Sequence, residues 1–217
     1  MMDFQVESLQ IQDWVVKVRT PAGPGPHPLV LMVHGLAGDE NVMWVFASRL
    51  PENALLVAPR ALYPAGQGGY TWHVHREDEW PSVDDLKPAA EALLGLITPE
   101  HFPDADLEQV SAVGFSQGAA VLYTLALTHP GRLRALAGLA GFLPEGAENL
   151  AAAEPLKNLP VFVAHGVRDE RVPVERARRA VEVLEQAGAD VTYCEDDVGH
   201  KLSLNCFKAL ERFFKGL

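Results

Sequence analysis

Short blocks of consecutive apolar residues recur along the chain, separated by longer stretches in which apolar positions return every three or four residues. The blocks Leu29–Val33, Ala54–Ala58, Val110–Val113, Ala135–Leu139, Val161–Ala164 and Val191–Cys194 are continuous rather than alternating. That is the pattern of strands buried on both faces of a parallel sheet. Two earlier segments, Phe4–Leu9 and Asp13–Arg19, predict edge hairpin strands. The Pro- and Gly-rich stretch 21–28 breaks regular structure and predicts a loop.

The intervening stretches carry helical periodicity. In Leu86–Ile97 the positions Leu86, Ala90, Leu93, Leu94 and Ile97 share a face, with Asp85 as the expected N-cap and Pro88 in the first turn. Gln117–Leu127 is apolar almost all round, which predicts a central, buried helix that stops before His129-Pro130. Val174–Ala187 places Val174, Ala177, Val181 and Leu184 together and ends at Gly188, an expected C′ residue. A last helix, about Leu202 to Lys215, presents Cys206, Leu210, Phe213 and Leu217. Strand and helix alternate, so the expected architecture is α/β, a mostly parallel sheet with helices on both faces. Gly141–Leu159 is too short for a large cap domain.

A length of 217 residues suits one domain spanning 1–217. The 48% hydrophobic content can fill a core, and the net charge of −11 argues against nucleic-acid binding and against stable docking on anionic membranes. No apolar run reaches the ~20 residues of a membrane span. The N-terminus lacks a basic segment followed by an apolar one, so a cytoplasmic location is expected. Two cysteines, Cys194 and Cys206, make no disulfide framework and read as reduced thiols.

The chemistry concentrates at Gly114-Phe-Ser116-Gln-Gly118, between a predicted strand and the apolar helix. A turn this tight lifts the serine hydroxyl clear of the sheet's C-terminal edge, and the glycines remove Cβ atoms that would clash. A serine hydroxyl needs a base. With the chain order nucleophile, acid, histidine, the base must follow the last long strand, where His200 stands in Asp196-Asp-Val-Gly-His200. The acid should follow an intermediate strand, and Asp169 does, with the adjacent Glu170 as the second choice and Asp196 and Asp197 less favoured. The oxyanion donors are expected to be the backbone N–H groups of Gln117 and Leu36, the latter in His34-Gly-Leu-Ala-Gly38. His34 precedes the serine and reads as a structural histidine. The aromatic-rich stretch Tyr63 to Trp80 reads as a substrate-groove wall, with Tyr63, Tyr70 and Trp72 as candidate contacts, or else as simple packing on the sheet. His73-Val-His75 is weak evidence for a metal, and no metal or cofactor is expected. The arginines between Arg168 and Arg179, with glutamates interleaved, read as a solvated helix face.

Taken together, these segments resemble the phospholipase/carboxylesterase family of small α/β-hydrolases, which includes acyl-protein thioesterases and bacterial predicted esterases. The matching residues are His34-Gly-Leu-Ala-Gly-Asp-Glu-Asn41, Pro59-Arg60, Gly68-Gly-Tyr-Thr-Trp72, Gly114-Phe-Ser-Gln-Gly-Ala119, His165-Gly-Val-Arg-Asp169, Val172-Pro173 and Gly199-His200. The resemblance implies the α/β-hydrolase fold and cofactor-free hydrolysis of small-molecule carboxylic esters or thioesters. It carries the triad onto Ser116, Asp169 and His200, and the oxyanion donors onto Leu36 and Gln117. The chain departs from the pattern at Gly35-Leu-Ala37 and at His73. Two other readings remain: a peptidase or amidase using the same triad, and a non-catalytic binding protein.

Overall fold

The computed structural model describes residues 6–66, 68–74 and 79–217. Its strands are β1 (Val6–Ile11), β2 (Trp14–Arg19), β3 (His27–Val33), β4 (Leu55–Pro59), β5 (Tyr63–Pro64), β6 (Tyr70–Thr71), β7 (Ala105–Phe115), β8 (Ala135–Leu139), β9 (Pro160–Gly166) and β10 (Asp190–Asp196). The helices are α1 (Val83–Leu96), α2 (Gln117–Thr128), α3 (Glu148–Ala151), α4 (Val174–Gln186) and α5 (Leu204–Lys215). A 3₁₀ helix, Val42–Arg49, follows β3.

Eight strands form one sheet in the order β1-β2-β4-β3-β7-β8-β9-β10. The β1/β2 and β2/β4 pairs are antiparallel and the remaining pairs are parallel. This is the α/β-hydrolase architecture. Between β8 and β9 the only helix is the four-residue α3, so among the described residues no large cap is inserted there. The strand order reverses at β3: β4 lies on one side of it and β7 on the other. A crevice therefore opens beyond the C-terminal ends of β3 and β7, the position where ligands collect in open α/β sheets. Val33 pairs with Gly114, so the residues following these two strands emerge side by side.

Several elements differ from the sequence reading in instructive ways. Helix α1 begins earlier: Ser82 is the N-cap, accepting from the Asp85 N–H, while Asp85 Oδ2 accepts from the Ser82 N–H at 2.9 Å. Asp85 is thus the third residue of a capping box rather than the cap. Pro88 consequently lies beyond the first turn, at an exposed position of the helix. β10 is an edge strand, only partly covered, although its apolar run suggested burial on both faces. α2 is buried along residues 117–127, as its all-round apolarity predicted.

The two cysteines correct the reduced-thiol expectation. Cys194 on β10 and Cys206 in the first turn of α5 form a disulfide, with Cα atoms 5.7 Å apart. The chain leaves the sheet after β10, turns through His200 and returns as α5 against the same strand. A separation of 12 residues says nothing of this return until the packing is known. Among the described residues, no helix is long and apolar enough to cross a membrane.

Candidate active site

Ser116 sits between β7 and α2 at φ 53°, ψ −118°, a conformation that costs a non-glycine residue about 1–3 kcal/mol. The surroundings hold it there. The Ser116 N–H donates to the Leu139 carbonyl at 2.8 Å, and its carbonyl accepts from the Ala119 N–H at 3.0 Å. A Cβ on Gly118 would stand 2.1 Å from the Val33 oxygen, and one on Gly114 would stand 2.5 Å from the Gly118 carbonyl. Only glycine lets β3, β7 and α2 approach this closely.

His200 follows β10. Its Nδ1 donates to Asp169 Oδ2 at 2.7 Å, which fixes the proton on Nδ1 and leaves the Nε2 lone pair available. Phe115 packs edge-on against the imidazole, with centroids 5.0 Å apart. Asp169 follows β9 and is 6% exposed. Its other oxygen, Oδ1, accepts from the N–H groups of Arg171 and Val172, each at 2.9 Å. Glu170, the second candidate for the acid, is exposed.

His165, which sequence reasoning did not assign a role, completes this arrangement. Its Nε2–H donates to the Val172 carbonyl at 2.8 Å and lies 3.4 Å from Asp169 Oδ2. Burial holds the ring below the ordinary histidine range, so the neutral form is favoured. His165 thereby braces both the carboxylate and the turn that carries it. The signal was present in His165-Gly-Val-Arg-Asp169, but only the folded turn brings Val172 back over the ring.

The loop after β3 is braced from two sides. His34 Nε2 accepts from the Ala61 N–H at 3.0 Å and Nδ1–H donates to the Gly35 carbonyl at 2.7 Å, with burial again favouring the neutral ring. The structural role expected for His34 is what the geometry gives. The Ala37 N–H donates to the Tyr70 carbonyl at 2.9 Å, and the Tyr70 N–H to the Gly38 carbonyl at 2.8 Å. Arg60 clamps the loop from below with two 2.7 Å bonds to Glu40, which hold that carboxyl below the usual range. Between these anchors, the Leu36 N–H has no backbone acceptor among the described residues. Gln117 opens α2, so its N–H has no intrahelical acceptor either. Its side chain is tied back to the Trp72 N–H at 3.1 Å and to Thr71 Oγ1 at 3.2 Å.

Ser116, His200, Leu36 and Gln117 line one open cleft of about 920 Å³. Its apolar walls include Phe46 stacked on Phe207, with centroids 5.5 Å apart, and Trp80 packed edge-on against Phe142 at 4.6 Å. The groove contacts expected at Tyr63, Tyr70 and Trp72 require correction, because none of the three lines the cleft. Tyr63 is exposed on the β5–β6 hairpin. The Tyr70 hydroxyl accepts from Arg60 at 3.2 Å. Trp72 is 2% exposed, donates from Nε1 to the His34 carbonyl at 2.7 Å and packs against Trp14. The aromatic stretch does reach the cleft, but through Trp80 at its end. His73 lines the cleft, whereas His75, its partner in the weak metal motif, lies outside the described residues.

A serine on a strand-to-helix elbow and a carboxylate-bonded histidine, lining one cleft at the sheet's switch point, fit the α/β-hydrolase class that the fold defines. Within that class the chain belongs to the phospholipase/carboxylesterase family, whose profile matches residues 16–216. It is 27% identical over 190 residues to acyl-protein thioesterase 1 of Kluyveromyces lactis, covering 79% of this chain and 82% of that protein. It is 26% identical over 190 residues to a probable inactive carboxylesterase of Oryza sativa, covering 80% of this chain and 78% of that one. The fold is shared with a Mesorhizobium loti carboxylesterase at a TM-score of 0.81 and 19% identity, covering 98% of this chain and 99% of that chain. A Bacillus cereus carboxylesterase gives a TM-score of 0.81 at 21% identity, with 94% and 95% covered.

Proposed function

We propose that the protein is a serine carboxylesterase or thioesterase acting on small to medium acyl substrates through an acyl-enzyme. The observation that carries this reading is the 2.7 Å His200–Asp169 hydrogen bond, opening on the same cleft as a serine held at φ 53°. Ser116 Oγ attacks the carbonyl carbon while His200 Nε2 takes its proton, and Asp169 stabilises the imidazolium that forms. The N–H groups of Leu36 and Gln117 receive the oxyanion. His200 then protonates the leaving alcohol or thiol, and the acyl group remains on Ser116. Water that gives its proton to His200 releases the acid, and the serine is regenerated. Every role is filled by protein groups, so the reading needs no metal or cofactor.

The same reading treats residues 1–217 as one hydrolase domain, with small-molecule substrates and no nucleic-acid partner, in keeping with the net charge of −11. A cytoplasmic location would make the Cys194–Cys206 disulfide an exception to the usual redox rule, and trapping the thiols in cells tests whether the bond forms there, while fractionation tests the compartment.

The test is fluorophosphonate labelling together with turnover of p-nitrophenyl esters and the matching anilides. Labelled Ser116, ester turnover and loss of both in a folded Ser116→Ala protein are expected. Anilide turnover matching ester turnover would move the assignment to an amidase. A protein that neither labels nor turns over would join the probable inactive rice carboxylesterase as a non-catalytic member.

A further inference from the structure

Five arginines lie between residues 168 and 179, and four of them have partners. Arg168 pairs with Asp197 at 2.6 Å, Arg178 with Glu195 at 2.7 Å and Arg179 with Glu182 at 3.1 Å. Arg176 pairs with Glu145 at 3.6 Å and lies over the Trp80 ring. The fifth, Arg171, has no ion-pair partner among the described residues, and it lines the cleft that holds Ser116. Lys201, directly after His200, lines the same cleft and is likewise unpaired among the described residues. Glu79 also lines the cleft and is engaged in an interaction of its own. A chain with a net charge of −11 therefore leaves two cations unneutralised beside its histidine.

Their placement relative to the chemistry gives them a use. In the proposed reaction His200 must protonate the departing oxygen or sulfur, so the leaving group lies on the His200 side of Ser116. Lys201 is the next residue after that histidine, and Arg171 belongs to the turn whose N–H groups hold Asp169. Both cations stand where the alcohol or thiol half of the substrate must pass, whereas the rest of the cleft lining is mainly apolar and suits the acyl half. Guanidinium and ammonium groups together favour an anionic oxygen group, since the first can bind two oxygens and the second adds a point charge.

We propose that Arg171 and Lys201 form an anion subsite for the leaving group, so that the preferred substrates are esters or thioesters whose alcohol or thiol portion carries a carboxylate or phosphate. This rests on the esterase reading above and narrows it.

Three esters with a common acyl group test it: 4-butyryloxybenzoate, 4-butyryloxyphenyl phosphate and the neutral 4-butyryloxybenzamide. The charged esters should exceed the amide in kcat/KM by about five-fold, through KM, with an advantage that shrinks as NaCl is raised. The two charged arms separate carboxylate from phosphate preference. In the Arg171→Gln/Lys201→Gln protein the charged-to-neutral ratio should fall to about one, and Arg171→Lys/Lys201→Arg should restore most of it. A wild-type ratio near one, or a ratio unchanged in the double variant, overturns the subsite while leaving the esterase reading intact. Failure of all three esters and of fluorophosphonate labelling overturns the esterase reading instead. Binding of 4-hydroxybenzoate against 4-hydroxybenzamide to the Ser116→Ala protein makes the comparison without turnover, and equal affinities there also overturn the subsite.

Discussion

Cys194 and Cys206 are joined across the loop that carries His200, so the base of the proposed triad hangs from a covalent bracket with one foot on β10 and the other on α5. Closing a loop of this size restricts the unfolded chain by about 3 kcal/mol in the chain-entropy account. Cys194→Ala/Cys206→Ala should therefore lower the melting temperature by roughly 6–12 °C. A drop of less than about 2 °C, measured by calorimetry on protein confirmed as oxidised by mass spectrometry, would mean that the bracket adds little.

Asp169 holds His200 through one oxygen and its own turn through the other. Asp169→Asn should keep the fold and lower kcat by about 10⁴-fold, the size of the effect when the same change is made in another triad enzyme. Glu170→Gln, at an exposed position, should stay within about two-fold of wild type. The reverse ranking in steady-state assays would move the acid by one residue.

The cleft wall predicts a chain-length profile. The cleft is open, so each added methylene should gain less than the ~0.8 kcal/mol of full burial, and kcat/KM should rise modestly from acetate esters and then level. Trp80→Ala removes one face of the Trp80–Phe142 wall and should flatten that rise with little loss on acetate. Trp72→Ala acts differently, because Trp72 is core and bonds the His34 carbonyl. Its loss should lower stability by about 3–5 kcal/mol and depress all esters alike.

His34 and His165 predict the acid limb of stability. Burial lowers the folded-state pKa of both below the ordinary histidine value of 6.5. Below that value the unfolded chain binds protons that the folded chain refuses, so stability falls as pH drops and recovers as it rises. Each ring adds at most about 1.4 kcal/mol per pH unit to the slope. Denaturant midpoints between pH 7 and pH 5 should fall less steeply for His165→Asn than for wild type. Equal slopes would remove the ring as a source of the acid sensitivity.

The sequence by itself determined the order of strands and helices, the elbow at Ser116, and the candidates Asp169 and His200. These depend on local patterns: continuous apolar runs, glycines flanking a serine, and positions just past strand ends. Chain order then placed them at one sheet edge, since parallel strands point their C-terminal ends the same way. What only the tertiary structure decided involves side chains brought together from distant segments. The pairing of Cys194 with Cys206 depends on α5 folding back on β10. The cleft wall passed to Trp80 and not to Trp72, because an irregular aromatic stretch carries no periodicity to show which ring faces the core. Arg171 reads in sequence as one of several arginines on a solvated face, and only the partners found by its neighbours leave it, with Lys201, unpaired at the cleft among the described residues. Pairing is a property of three-dimensional neighbourhoods, and a one-dimensional pattern fixes a neighbourhood only where the chain is its own neighbour.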